Sequence, residues 1–174
     1  MTVRANKPAF NVREKLKELD YSHIPYEKMP AGSVIQYKTI DSSYTVNTNS
    51  SSYANLNGVT LLFGPKLSNS ILEISLTGTI RMFPNGNTRS RPGFQLVRSG
   101  TVLSGYNFNE AIQLRNCNFN SSSVEVCIPF HFILRDIPNS TENLEYTWQW
   151  RNIDNQYTDT AGVNYRQSIM EIKQ

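Results

Sequence analysis

From Ala31 to the C-terminus the chain repeats one pattern: a short apolar or β-branched run, a group of turn-forming residues, then another run, with no helical period between them. The runs are Ser33 to Ile40, Leu56 to Phe63, Ile71 to Phe83, Gly93 to Val97, Thr101 to Leu103, Ala111 to Cys117, Val124 to Arg135, Leu144 to Ile153 and Asn164 to Ile172. Asn57-Gly58, Gly64-Pro65, Pro84-Asn-Gly86, Arg98-Ser-Gly100 and Pro138-Asn-Ser-Thr141 punctuate them, supplying positive φ, fixed φ or local side-chain bonds. About nine strands spaced roughly 8 to 15 residues apart predict an all-β sandwich or barrel. A parallel α/β sheet is excluded, because its strands need crossover helices and no helical run separates these.

Composition agrees. Asn, Ser and Thr supply 50 of the 174 residues, short polar side chains that favour turns and strand faces over helix interiors. With 39% apolar and 18% charged residues, a chain of this length builds one core. No run approaches the roughly 18 apolar residues of a membrane span, and Met1 onward lacks a basic-then-apolar leader. A soluble chain not exported by that route, with no membrane partner, is the expectation.

The net charge of +3 is unevenly placed. Arg4, Lys7, Arg13, Lys15 and Lys17 face only Glu14 within the first 17 residues, so that segment carries +4 and the other 157 residues sum to −1. Within it, Asn11 to Asp20 sets Val12, Leu16 and Leu19 at helical spacing, with Asn11 as N-cap and Glu14 at the capping-box position. A helix this short needs a partner surface. Tyr21 to Pro30, with two prolines, reads as an extended connector, dividing the chain into an arm (1–30) and a β domain (31–174). A nucleic-acid partner would spread Lys and Arg over a folded face among aromatics, and the near-neutral body argues against one.

The strongest alternation sets Tyr146, Trp148 and Trp150 on one face of a strand against Thr147, Gln149 and Arg151 on the other. Phe130 and Phe132 flank His131 in the same manner, which places the histidine outward. These five aromatics are either the core face or a surface buried against sister subunits. No nucleophile elbow, phosphate loop or His-Glu-x-x-His motif is present, and each aspartate is explained by a turn or cap. No enzyme, cofactor or metal site is expected. His23 and His131 stand alone, and Cys117 and Cys127 flank a turn as either a disulfide or two small apolar groups.

Several segments together carry a resemblance: Met29-Pro-Ala-Gly-Ser-Val-Ile-Gln36, Phe94-Gln-Leu-Val-Arg-Ser-Gly-Thr-Val-Leu-Ser-Gly105, Phe132-Ile-Leu-Arg-Asp-Ile-Pro138, Tyr146-Thr-Trp-Gln-Trp150 and Ser168-Ile-Met-Glu-Ile172. In order and spacing they resemble the small jelly-roll modules of tailed-bacteriophage virion proteins, especially those of marine and cyanobacterial phages. The arm segment Asn6-Lys-Pro-Ala-Phe-Asn-Val-Arg-Glu-Lys-Leu16 is similar to the opening of many such proteins. The resemblance implies an antiparallel jelly-roll sandwich forming a homotrimer similar to tumour-necrosis-factor-like trimers. It implies a capsid decoration (cement) protein or the tip of a tail fibre.

Only about thirty residues precede the module, short for a fibre stalk, so the decoration role leads. In that role Arg4, Lys7, Phe10, Val12, Arg13, Leu16 and Leu19 contact the major capsid protein on the outside of the capsid, after synthesis in the host cytoplasm. In the alternative, the arm plugs into a tail or fibre adaptor protein. The polar loops Asn47 to Ser52 and Asn118 to Ser123, with Tyr44 and Tyr53, then meet host surface glycan.

Overall fold

The computed structural model describes residues 25–42, 46–48, 50–82, 91–108, 126–152, 159–161 and 165–174. Expectations for the arm up to residue 24, including its helix, and for the strand Ala111 to Cys117 lie outside them. The described residues form ten strands in two antiparallel sheets, a β-sandwich. The first sheet holds β1 (Val34–Ser42), β10 (Tyr165–Ile172), β4 (Ile71–Met82) and β7 (Val126–Asp136), joined in that order. β9 (Asp159–Ala161) pairs with β4 beyond the end of β10 and carries β2 (Val46–Thr48). The second sheet runs β3 (Ala54–Phe63), β8 (Leu144–Asn152), β5 (Pro92–Arg98) and β6 (Thr101–Phe108).

Period-two alternation builds the interior. Leu72, Ile74, Leu76 and Ile80 of β4 and Phe130, Phe132 and Leu134 of β7 face Tyr146, Trp148 and Trp150 of β8 and Phe94 and Leu96 of β5. Both tryptophans are 0% exposed. Phe94 stands 5.2 Å from both Phe130 and Phe132, and Phe132 lies 6.0 Å from Trp148. Such ring pairs each add roughly 0.5 to 1.5 kcal/mol beyond the area they bury. All five aromatics are therefore interior to one chain, and the reading that they protrude toward sister subunits is corrected. Two facing sheets are needed to cover so much aromatic area, and a single chain supplies both.

Some local expectations change. Asn57-Gly58 is not a turn before a strand but part of β3, where the pairing with β8 slips between Asn55 and Thr60 and Gly58 takes φ +78°. A bulge there lets Leu56 and Val59 both reach the core. Arg98-Ser-Gly-Thr101 is a two-residue hairpin turn, with Ser99 as well as Gly100 at positive φ (45° and 83°). That is the backbone a right-twisted hairpin requires. Ser99 is held by two bonds to Glu145, its N–H donating to the carbonyl and its Oγ accepting from the N–H.

The described part of the connector is folded, not extended. Tyr26–Lys28 forms a 3-10 turn, and the Lys173 ammonium donates to the carbonyls of Glu27 and Met29. Along the facing edges of the two sheets, Gln36, Lys38 and Ser42 of β1 donate side-chain bonds to the carbonyls of Gly64, Leu62 and Asn57. These bonds occupy edge groups that would otherwise invite another strand.

Candidate functional site

Three places gather polar chemistry, two inside the sandwich and one on its surface. Inside, Glu171 of β10 shares the inward face with Ile169 and is 0% exposed. Its carboxylate accepts from Gln36 Nε2 (2.6 Å), Ser70 Oγ (2.7 Å), Lys66 N (2.9 Å) and Leu67 N (3.0 Å). A buried charge is tolerable when its lone pairs are filled, and these donors fill them. The carboxylate thus fixes the loop from Gly64 to Ser70 against the first sheet.

In the same row of the first sheet, two strands away across Leu72, Asp136 closes β7. Arg98 Nη1 lies 2.9 Å from both its oxygens, and the Tyr146 hydroxyl donates to Oδ2 at 2.7 Å. The expectation that a turn or cap explains this aspartate is corrected: it clamps the second sheet to the first. Asp41 is likewise no cap, pairing with Arg166 at 2.6 Å across the exposed face of β1 and β10. Arg166 holds the Asp41 carboxyl below the usual carboxylate range through its hydrogen bond and charge.

Burial, and then the bond to Asp136, raises the Tyr146 hydroxyl well above the ordinary tyrosine range, and burial raises Tyr165 in the same direction. Both phenols stay protonated in the folded chain where an unfolded chain would release them. Their contribution is complete below about pH 10 and is lost as pH rises toward the folded values, by about 1.4 kcal/mol per pH unit for each. Urea midpoints measured from pH 8 to 11 should fall above pH 10, and Tyr146→Phe should shallow that fall.

The surface group lies on the outer face of the second sheet. Register brings Asn55 of β3 opposite Gln149 of β8, and Gln149 opposite Gln95 of β5. Gln95 Nε2 donates to Gln149 Oε1 at 2.6 Å, and Gln149 Nε2 donates to Asn55 Oδ1 at 2.9 Å. On one side of this amide ladder, Thr60 and Thr147 pair their hydroxyls at 3.1 Å. On the other, the Arg151 guanidinium stacks 4.5 Å above the Tyr53 ring. Exposure falls along the ladder from Asn55, which is open, through Gln149 to Gln95, which is 7% exposed.

Of the residues named by sequence for glycan contact, Tyr53 reaches this surface, as does Ser51 of the 47–52 loop through its carbonyl, and the polar set Thr147, Gln149 and Arg151 faces outward here as the alternation implies. Tyr44, Asn118 to Ser123 and the arm residues Arg4, Lys7, Phe10, Val12, Arg13, Leu16 and Leu19 lie outside the described residues. Cys127 sits on the exposed side of β7, as does His131, and Cys117 is not among the described residues. Among the described residues there is no group of three or more His, Cys, Asp or Glu suited to a metal ion. No described helix is long and apolar enough to cross a membrane.

No protein-family model matches the chain, and no curated protein does. Among solved structures it is similar to dimeric latent PorU from Porphyromonas gingivalis, at 14% identity and a TM-score of 0.39 over 83% of this chain. It is also similar to infectious bursal disease virus, Gx strain, at 10% identity, 79% coverage and a TM-score of 0.35. The VP2 subviral particle of the same virus gives 11% identity, 81% coverage and a TM-score of 0.34. This chain spans only 14%, 32% and 34% of those three proteins. Likenesses at this level assign neither a family nor a role.

Proposed function

We propose that this chain is a non-enzymatic structural protein of a bacteriophage virion. On this reading it is a jelly-roll module that trimerises on the capsid exterior, and its basic N-terminal segment anchors it to the major capsid protein. The observation that carries the reading is the strand order, β1-β10-β4-β7 facing β3-β8-β5-β6. Four strands against four, with the chain crossing repeatedly between sheets, supports a double Greek key. It also agrees with the resemblance carried by the segments from Met29 to Ile172, which supply strands of both sheets.

Since the large aromatics are spent on the chain's own core, a trimer must use other apolar area. The outer face of the first sheet offers it: Tyr37 is 58% exposed, Ile133 52% and Ile137 45%. On the same face Glu73 pairs with Arg135 and Asp41 with Arg166, which leaves little net charge to oppose association. Analytical ultracentrifugation should give three times the chain mass, and Tyr37→Glu combined with Ile133→Glu should give a folded monomer. A wild-type monomer at micromolar concentration would overturn the trimer. Deleting Met1 to Asp20 should leave the assembly intact and abolish its binding to capsids.

A tail-associated receptor-binding module is the second reading. The polar, aromatic-edged face around Gln149 favours it.

A further inference from the structure

We propose that the outer face of the second sheet, centred on the Asn55–Gln149–Gln95 ladder, binds an oligosaccharide. The inference rests on the receptor-binding reading and supplies its site, on strands instead of the polar loops. Each amide in the ladder carries two N–H donors and a two-lone-pair carbonyl oxygen. The ladder bonds engage one donor of Gln95, one donor and one acceptor of Gln149, and one acceptor of Asn55. With Gln95 buried, the groups open to a ligand are the amide donors and carbonyl lone pairs that Asn55 and Gln149 keep beyond the ladder bonds, a pattern that neighbouring sugar hydroxyls, each a donor and an acceptor, can match.

Dimensions agree. Strands stand about 4.8 Å apart and residues on one face repeat about every 6.8 Å, so the accessible amides Asn55 and Gln149 span about one hexose ring and Arg151 lies one step farther along β8. Beside the row, the Arg151 guanidinium lies over the Tyr53 ring, which holds a charged donor group next to the amides. The pieces are also fixed in advance. Gln149 is held from both sides, Thr147 is held by Thr60, and Arg151 is held over Tyr53 with Nη1 donating to the Ser51 carbonyl. A ligand meeting such a row need not order it, which removes a cost that weakens most polar recognition.

The occupant is a carbohydrate and not a peptide strand, because the ladder lies on the face of the sheet. Peptide addition uses the unpaired main-chain groups at an edge, and β3 and β5 flank β8 on both sides here. A nucleic acid is the poorer match, since Arg151 is the sole cation in the three rows described.

The test uses the full chain on an array of bacterial surface oligosaccharides, neutral and acidic, followed by calorimetric titration with the strongest binder. Wild type should bind at least one neutral or acidic sugar. Asn55→Ala, at the open end of the ladder, and Gln149→Ala should each weaken binding about tenfold, the loss of one well-placed polar contact. Val34→Ser, at an exposed position of β1 in the opposite sheet, should leave it unchanged. Thermal unfolding of each variant separates lost binding from lost fold; if Gln149→Ala does not fold, Asn55→Ala decides. Absence of binding across the array overturns the proposal, as does binding that survives Asn55→Ala in a folded protein. Neither result bears on whether the chain belongs to a virion, which particle composition decides separately.

Discussion

Glu171→Ala should lower the free energy of unfolding by about 4 kcal/mol, enough to unfold much of a marginally stable domain. The alanine removes the acceptor of both Lys66 N and Leu67 N, and it strips one partner each from Ser70 Oγ and Gln36 Nε2. Ser70 keeps the Leu67 carbonyl and Gln36 keeps the Gly64 carbonyl, so the two backbone N–H groups bear most of the loss. Glu171→Gln keeps the shape and one acceptor oxygen, which can serve Lys66, Leu67 and Ser70, so about half the loss is expected. Urea denaturation read by tryptophan fluorescence measures both, since Trp148 and Trp150 are interior. Equal stabilities for wild type and Glu171→Ala would mean that the carboxylate does not hold the 64–70 loop.

Gly78→Val is the second large effect, about 3 kcal/mol or more, from overpacking. Gly78 faces inward on β4 opposite Phe130, and the Tyr165 ring fills the space beside it. A Cβ placed there would stand 2.5 Å from Tyr165 Cδ1 and 3.0 Å from Phe130 Cζ. Neither ring can retreat, because Phe130 packs 5.2 Å from Phe94 and 5.0 Å from Phe132 and Tyr165 is 1% exposed. Combining Gly78→Ala with Tyr165→Leu should recover part of the loss, and the coupling in that double-mutant cycle reads the contact directly. At Gly64 the nearest atom to a new Cβ is the end of the Asn143 side chain, so Gly64→Ala should cost far less.

Both sites bear on what a sequence can and cannot reveal. The alternation around Trp148 and Trp150, and that around Phe130 and Phe132, was legible because period two leaves its mark within a few residues. The tight turn at Ser99-Gly100 was legible from its glycine, whereas the positive φ of Ser99 was not, since its support comes from Glu145 on another strand. Glu171 could be assigned to the face of Ile169 by parity alone. Its burial could not, because its donors come from a loop more than 100 residues away.

Asp136 misled for the same reason: the Ile-Pro that follows looks sufficient to explain it, while Arg98 and Tyr146 meet it only in the folded sandwich. Short elements such as β2 and β9, three residues each, are too brief to carry a period. The candidate surface was hidden in the register. Asn55 and Gln149 are 94 residues apart, Gln149 and Gln95 are 54 apart, and only the pairing of β3, β8 and β5 lines them up.

The two outer faces divide the proposed work. Exposed Tyr37 and Ile133 on the first sheet supply area for self-association, and Asn55, Gln149 and Thr60 of the second remain accessible to a ligand. A capsid decoration protein and a tail module would share this architecture and differ in number. The most direct measurement is therefore quantitative mass spectrometry of purified particles of the virus proposed to carry the chain, referenced to the major capsid protein. A virion structural protein of the capsid surface should be present at hundreds of copies per particle; its absence from purified particles would contradict the account.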